Sequence, residues 1–373
     1  MKAAKLILAA VTAVLFSCNQ PNGYVIQGNL TGFPDSTMIY LRNMSSDETF
    51  DSALIINHQF ELKGVLENVP EQIWLNTRID NKLIYKNLLI GNEKIKVTGD
   101  IKDFPFNVQI SGSKTQKDFD DLQDLTKSLE IQRDSLVQSY FRLSPEIQGE
   151  KGKEIGRKIR LIDDSIQKIR IEYVKSHTNA YPAVINLGYL KSAIPKDTVR
   201  VLYENLTNEL KSSKYAKIVE VYLNEKISEV GDHYHDFEAF NKTGDKINFS
   251  DLIEKTGKYI LLDFTTTHCG PCIQAAEELR TIHQTYSDSL TIVSFSCDAK
   301  KEWWLKSLDR DSVSWVGLWD GKGTYSETYI KYGVWAFPSF FLINPHGKII
   351  SKWVGYNKGS LVNSLTRFQN NKQ

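Results

Sequence analysis

The apolar run Tyr259-Ile260-Leu261-Leu262-Asp263-Phe264 is followed, after three threonines and His268, by Cys269-Gly270-Pro271-Cys272 and then by a helix-like stretch beginning at Ile273. Two thiols separated by two residues, at the junction of a buried strand and a helix, can close a disulfide and open it again. The first sulfur would sit at the helix N-terminus, where unpaired N–H groups and the helix dipole favour a thiolate. Thiolate is the attacking species in disulfide exchange, so this placement suits a redox centre better than a structural staple. Zinc would need two more ligands. The remaining cysteines are Cys18 and Cys297, and His268 and His283 do not naturally converge with both thiols at a helix start. No metal is expected here.

Around this junction strand-like and helix-like segments alternate. Asp236–Phe240 and Lys246–Phe249 read as a hairpin, followed by strands at Ile260–Phe264, Leu290–Ser296, Pro338–Ile343 and Lys348–Val354. Helical text runs up to Tyr286, around Trp303 to Leu308, and onward from Ser360. The alternation predicts an α/β sheet covered on both faces across residues 231–373. Ahead of it, residues 24–112 hold short β-type segments broken by turn residues, including Tyr24–Leu30, Met38–Leu41, Gln59–Val65, Gln72–Leu75 and Lys94–Gly99. They suggest a compact antiparallel β domain. It shows no cluster of catalytic polar residues, so packing or interaction is its expected role. Residues 113–230 read as helical. Ile155, Ile159, Ile162, Ile166, Ile169 and Tyr173 form one apolar stripe, and Phe119, Leu122, Leu129, Leu136 and Tyr140 a second, interrupted by Thr126 and Arg133. Two such helices, joined through Ser144-Pro145 and Gly149, are expected to pair as an antiparallel hairpin within the chain.

The stretch Leu261 to Cys272 resembles the active-site strand and turn of thioredoxins. Tyr332-Gly333-Val334-Trp335-Ala336-Phe337-Pro338-Ser339-Phe340-Phe341-Leu342-Ile343-Asn344 is similar to the segment carrying that fold's cis-proline. The resemblance covers about residues 231–373. It is nearest to lipoprotein or membrane-anchored thioredoxin-like proteins of the bacterial envelope, including the cytochrome-c-maturation reductases, and the small β domain is similar to one often found ahead of them. It implies a thioredoxin-like C-terminal domain acting as a thiol:disulfide oxidoreductase with no cofactor. Cys269 would attack and Cys272 would resolve, through one redox-active disulfide. Gly270 and Pro271 resemble the thioredoxin dipeptide, whose couple near roughly −270 mV points to reduction of clients. Asp263, six residues before Cys269, aligns with the buried carboxylate of thioredoxins. A carboxyl in an apolar strand has a raised pKa and can take the proton of the resolving thiol. Pro338 would leave neighbouring backbone groups able to pair with an extended substrate, with Phe337 facing the sulfurs and shaping specificity beside Gly270 and Pro271. His268 and Thr265 stand where the family usually has tryptophans, Ala275 replaces an acidic residue, Glu277 a proline and Ser339 a threonine. A protonated His268 would push the couple towards oxidation.

At the N-terminus Lys2 and Lys5 precede the apolar run Leu6–Phe16, too short for a comfortable transmembrane helix and built like a signal peptide. Leu15-Phe16-Ser17-Cys18 resembles a lipobox. Residues 1–17 are expected to be removed, Cys18 acylated, and 18–23 left as a tether. Several acyl chains, at roughly 0.8 kcal/mol per buried CH₂, hold a protein stably on a membrane. Export would place the thiols in the periplasm-facing envelope, where a dithiol reductase of envelope-protein disulfides needs a membrane electron donor. With 46 basic and 45 acidic side chains the net charge is +1, and no basic excess invites nucleic acid. Cys297 is expected to be a half-buried, inert thiol, and His233 with His235 are too few for a metal site.

Three functions fit these residues. The first is a membrane-tethered thiol:disulfide oxidoreductase working as a reductase. The second is a thiol peroxidase of peroxiredoxin type, since Thr266 precedes Cys269 at that family's spacing, although Leu262 stands where its proline would fall. The third is a non-catalytic envelope binding protein, against which the intact Cys269, Cys272 and Pro338 argue.

Overall fold

The structure, a computed structural model, describes residues 22–44, 48–67, 69–142 and 148–370. The stretches expected to be a signal peptide, a Cys18 anchor and most of a tether lie outside the described residues, as do Ser144 and Pro145.

The first part of the chain is a sandwich of two sheets. Its strands are β1 (Tyr24–Thr31), β2 (Thr37–Asn43), β3 (Thr49–Ile55), β4 (Gln59–Gly64), β5 (Glu71–Ile79), β6 (Lys82–Ile90), β7 (Lys94–Asp100) and β8 (Gln109–Ser111). One sheet has the order β4-β1-β7-β8 and the other β3-β2-β5-β6. Along β1 and β4 side chains alternate between buried and exposed, the pattern of strands with one face on a core. Ile26, Leu30, Ile39, Leu41, Ile73, Leu75 and Val97 fill the space between the sheets. The expected antiparallel domain is present with one addition: β1 pairs β7 in parallel, Val25 opposite Lys94 through Thr31 opposite Asp100. Two strands absent from the sequence reading, β3 and β6, complete the second sheet. β6 follows β5 through Asp80 and Asn81, both with positive φ, a two-residue hairpin turn that these residue types tolerate.

Helices follow: α1 (Lys114–Phe141), α2 (Gln148–Ser176), α3 (Tyr181–Leu190), α4 (Lys196–Glu204), α5 (Asn208–Lys211) and α6 (Lys214–Asn224). α1 and α2 pack against each other. Ile155, Ile166 and Tyr173 of the expected stripe are buried and the residues between them half-buried. The two interruptions in the α1 stripe make polar bonds instead. Thr126 donates to Glu130 at 2.8 Å, Glu130 pairs with Arg170 of α2 at 3.2 Å, and Arg133 meets Asp163 of α2 at 2.6 Å. The helices dock onto the sandwich through buried polar contacts. Gln116 accepts from the Leu89 amide at 2.7 Å, Lys86 pairs with Asp120 at 2.7 Å, and the Tyr215 hydroxyl donates to the Pro70 carbonyl at 2.9 Å.

The last part contains β9 (Glu238–Phe240), β10 (Lys246–Asn248), α7 (Phe249–Thr256), β11 (Tyr259–Thr265), α8 (Gly270–Tyr286), β12 (Leu290–Ser296), α9 (Lys301–Arg310), β13 (Val316–Trp319), α10 (Glu327–Lys331), β14 (Ser339–Ile343), β15 (Ile349–Val354) and α11 (Ser360–Asn370). They form one sheet in the order β10-β9-β13-β12-β11-β14-β15. β11, β12 and β13 run parallel, and β14 and β15 close one side antiparallel. Leu262, Phe264, Val293, Phe295 and Phe341 face one core; Leu261, Ile292, Phe340 and Leu342 face the other, beneath α8 and α11. Both faces of β11 are therefore covered, which explains its unbroken apolar text. Among the described residues no helix is long and apolar enough to cross a membrane.

Candidate active site

The cysteine pair sits where β11 ends and α8 begins, at the carboxyl end of the parallel strands, where open α/β sheets place their sites. The helix starts at Gly270, three residues earlier than its sequence suggests, because Pro271 supplies a helix-ready φ in the first turn and its missing N–H has no partner to lose there. Cys269 is thus the N-cap and half-exposed, whereas Cys272 is buried. Burial follows the helix period: Cys272, Ala275, Ala276, Leu279 and Ile282 share the face turned to the sheet. The two cysteines form a disulfide with Cα atoms 5.2 Å apart. The Cys269 sulfur accepts from the Cys272 amide at 3.1 Å, an orphan helix donor that can equally hold a thiolate.

Behind the pair lies a polar cavity of about 20 Å³, lined among others by Asp263, Cys272, Ser294, Trp304 and Asp311. That is room for one water molecule. Asp263 is buried on β11 and accepts from the Ser294 hydroxyl at 3.0 Å, while Ser294 accepts from the Trp315 indole at 2.9 Å. Its second oxygen, Oδ1, has no hydrogen-bond partner, and neither has the indole nitrogen of Trp304. Burial pushes the Asp263 carboxyl up to about 7; the Ser294 bond opposes this and the Asp311 charge adds to it. A carboxyl able to exchange a proton near neutral pH therefore shares a cavity with the buried thiol. Asp311 is itself clamped by Arg310 through two bonds of 2.7 Å.

A second carboxylate, not found by sequence reasoning, holds the turn in front of the cysteines. Asp298, just past the end of β12, accepts from the Thr267 amide with both oxygens at 3.1 Å and from the Thr267 hydroxyl at 2.8 Å. It also accepts from Ser296 at 2.7 Å. Arg310 donates to the Thr267 carbonyl at 2.6 Å, and the Thr267 hydroxyl also donates to the Trp303 carbonyl. The available signal was position: an acidic residue at the carboxyl end of a strand running parallel to the cysteine strand.

The Phe337–Pro338 peptide bond is cis. Gly270 and Pro271 are exposed at the helix start. The Phe337 ring packs beside Tyr329, 5.8 Å between centroids, and against the core of the sheet. The exposed His268 has its ring 5.2 Å from Trp303, so α9 supplies an indole close to where the family carries a tryptophan in the turn. Cys297 is fully buried rather than half-buried, because its strand end is enclosed in the core that contains Phe295 and Tyr332; burial pushes its thiol well up. Among the described residues no group of three or more metal-ligating side chains converges.

Two family models match the chain. The AhpC/TSA family covers residues 230–352, and a domain of unknown function (DUF4369) covers 24–119. Thioredoxin-like protein YneN of Bacillus subtilis is 28% identical over 128 residues, 34% of this chain and 71% of its own. Thioredoxin-1 of Schizosaccharomyces pombe is 31% identical over 108 residues, 29% of this chain and 79% of its own. The solved thioredoxin domain of a thiol-disulfide oxidoreductase from Bacteroides vulgatus is 25% identical and covers 38% of this chain and 98% of that one, with a TM-score of 0.35. Through its last domain, with a cysteine pair at a helix start and a cis-proline in the matching segment, the chain belongs to the thioredoxin-like thiol:disulfide oxidoreductase family.

Proposed function

We propose that this chain is a membrane-tethered reductase of disulfides in envelope proteins. One observation carries the reading: the half-exposed Cys269 is joined to a buried Cys272 that shares a water-sized cavity with Asp263. In the reduced enzyme the Cys269 thiolate attacks a client disulfide, forms a mixed disulfide and expels one client thiolate, which takes a proton from solvent. Cys272 then gives its proton to the Asp263 carboxylate and attacks the Cys269 sulfur. That breaks the mixed disulfide and releases the second client sulfur as a thiolate, which takes a proton from solvent. Asp263 in turn returns to solvent the one it received. The client gains two electrons and the enzyme is left as the disulfide. A membrane dithiol donor returns two electrons and two protons.

Reduction of insulin disulfides, measured beside peroxide turnover on the same sample, tests the chemistry. Insulin reduction with negligible peroxide turnover is expected; the reverse would favour the peroxidase, towards which the AhpC/TSA match also points. The Cys272→Ser variant should trap clients as mixed disulfides through Cys269. If oxidised peptides carrying the C-x-x-C-H haem-attachment motif outcompete unrelated disulfides, the finer reading as a cytochrome-c-maturation reductase stands. The tether rests on the lipobox-like Leu15–Cys18. Partition of the mature protein into detergent, lost in Cys18→Ser while reductase activity survives, is the expected result.

A further inference from the structure

We propose that Trp304 and Asp311 hold one water against the unpaired oxygen of Asp263, and that the Asp263 proton leaves the protein over that water and Asp311. The inference rests on the reductase reading, in which Asp263 receives the proton of Cys272 and must return it to solvent.

Asp263 is 4% exposed, on a strand covered on both faces, so a proton placed there needs a carrier. The polar side chains around its cavity are otherwise engaged. Ser294 donates to Asp263 itself, Ser296 to Asp298 at 2.7 Å, Ser307 to the Trp304 carbonyl at 2.7 Å, and the Trp315 indole to Ser294. Two buried polar atoms on lining residues have no partner among the described residues: Oδ1 of Asp263 and the indole nitrogen of Trp304, itself 1% exposed. The carboxyl oxygen accepts or, when protonated, donates; the indole only donates. A single water can accept from the indole and exchange a proton with the carboxyl, which satisfies both. The volume of about 20 Å³ matches one such molecule.

Asp311 gives that water its third partner and an outlet. It lines the same cavity, and its side chain is 12% exposed, which leaves it in reach of solvent. Each of its oxygens accepts one bond from Arg310 and has capacity for another. Arg280 donates to its backbone carbonyl at 2.7 Å, so the carboxylate is fixed at the end of α9. The other elements packed on Asp263 offer no equivalent. β14 places Phe340 opposite it and carries no ionisable residue from Ser339 to Ile343. β12 contributes Ser294 in register and, just beyond its end, the buried Cys297. α8 contributes Cys272, the source of the proton.

The step moves one proton and no electrons. Cys272 becomes a thiolate as Asp263 becomes a carboxylic acid. Asp263 passes its proton to the water, the water passes one of its own to Asp311, and Asp311 releases it to solvent. Trp304 is a positioning residue: its N–H orients the water and never carries the proton.

The test follows release of the Asp263 proton in the oxidised full chain, with no client present. At about pH 6 ordinary carboxyls are ionised, so the infrared carbonyl band of a protonated carboxyl belongs to Asp263 and is absent in Asp263→Asn. Its decay after rapid mixing to about pH 8 gives the release rate. In Asp311→Asn the midpoint should fall, because a charge that raises it is gone. Electrostatics alone would then make release faster; the proposed route makes it slower by about tenfold or more. Trp304→Phe keeps a ring in place and removes the N–H, and should slow release by about threefold or more. Asp311→Glu restores release to within about twofold of the wild type. Unchanged or faster release in either Asp311→Asn or Trp304→Phe, with thermal unfolding showing the variant folded, overturns the proposal. A measurement on the wild type stands beside the variants. Its release rate plotted against the deuterium content of the solvent should curve, since two protons move together through a bridging water, and a straight line overturns the route. A wild type with no acid band overturns it as well. Insulin reduction is read on the same sample: its failure overturns the reductase reading, whereas the outcomes above overturn only the route.

Discussion

The Asp263 carboxyl sits far from its ordinary state, beside the redox pair. Its carboxyl is buried, singly bonded to Ser294, and pushed by that burial from an ordinary 3.8 up to about 7. Unfolded chains release this proton near 3.8, and the native protein keeps it until about 7. Stability is therefore highest below the lower value, falls as pH rises through that window, and is flat above it. Asp263→Asn keeps the shape and removes the charge. It should match the wild type in thermal unfolding near pH 4 and exceed it at pH 8, by about 4 kcal/mol at most, since each pKa unit is worth about 1.36 kcal/mol. The same variant should slow resolution by Cys272 more than attack by Cys269 in stopped-flow reduction. Equal slowing would leave Asp263 a structural residue. Removing the neighbouring charge in Asp311→Asn should lower the Asp263 pKa, because Asp311 raises it. The pH midpoint of the resolution step should then move to lower pH, and an unmoved midpoint would sever the link between the two carboxyls.

Among elements, the turn between β11 and α8 is held mostly by side chains from the segment just past β12 and from α9. Asp298 accepts from the Thr267 amide, the Thr267 hydroxyl and Ser296, and Arg310 caps the Thr267 carbonyl. Asp298→Ala leaves buried donors unpaired, at about 1–3 kcal/mol for each group. The expected outcome is a loss of about 3 kcal/mol in denaturant unfolding together with slower client attack, as the cysteine turn loses its fixed position. The helix itself needs less help. Cys269 as N-cap places its sulfur on an orphan amide, so alkylation of the reduced protein should stay fast well below the pKa of roughly 8.5 of a model thiol. A pH profile like that of a free cysteine would remove the helix start as a source of reactivity.

Across the whole molecule, the helical core takes in Leu89 of β6 and is packed by Tyr325 of the last part, and polar contacts add to these joints. Lys86 of β6 is 3% exposed and pairs with Asp120 of α1. Asp120→Ala would strand a buried ammonium, and losing one partner of such a pair costs about 3–5 kcal/mol. We expect a lower unfolding temperature for Asp120→Ala, and recovery when Lys86→Met is added, because two apolar side chains leave no charge unpaired. If the double variant is no better than the single one, the pair is not what couples β6 to α1.

The sequence alone determined what depends on neighbours along the chain. The buried strand Ile260–Phe264, the cysteine pair at a helix start and the helix pair with its isoleucine stripe are written in local periodicity and capping, which act over one or two turns. The β6 strand is legible in the same way, since Asp80-Asn81 is a pair that a two-residue hairpin turn tolerates. Long-range pairings had no such signature. The parallel match of β1 with β7 joins residues about seventy positions apart, and no turn residue encodes it. The grip of Asp298 on Thr267, and the cavity that Asp263 shares with Asp311, likewise need strands and helices packed side by side. Only the tertiary structure decided them, because the desolvation and close contact that give these side chains their chemistry are absent until the sheet is covered on both faces.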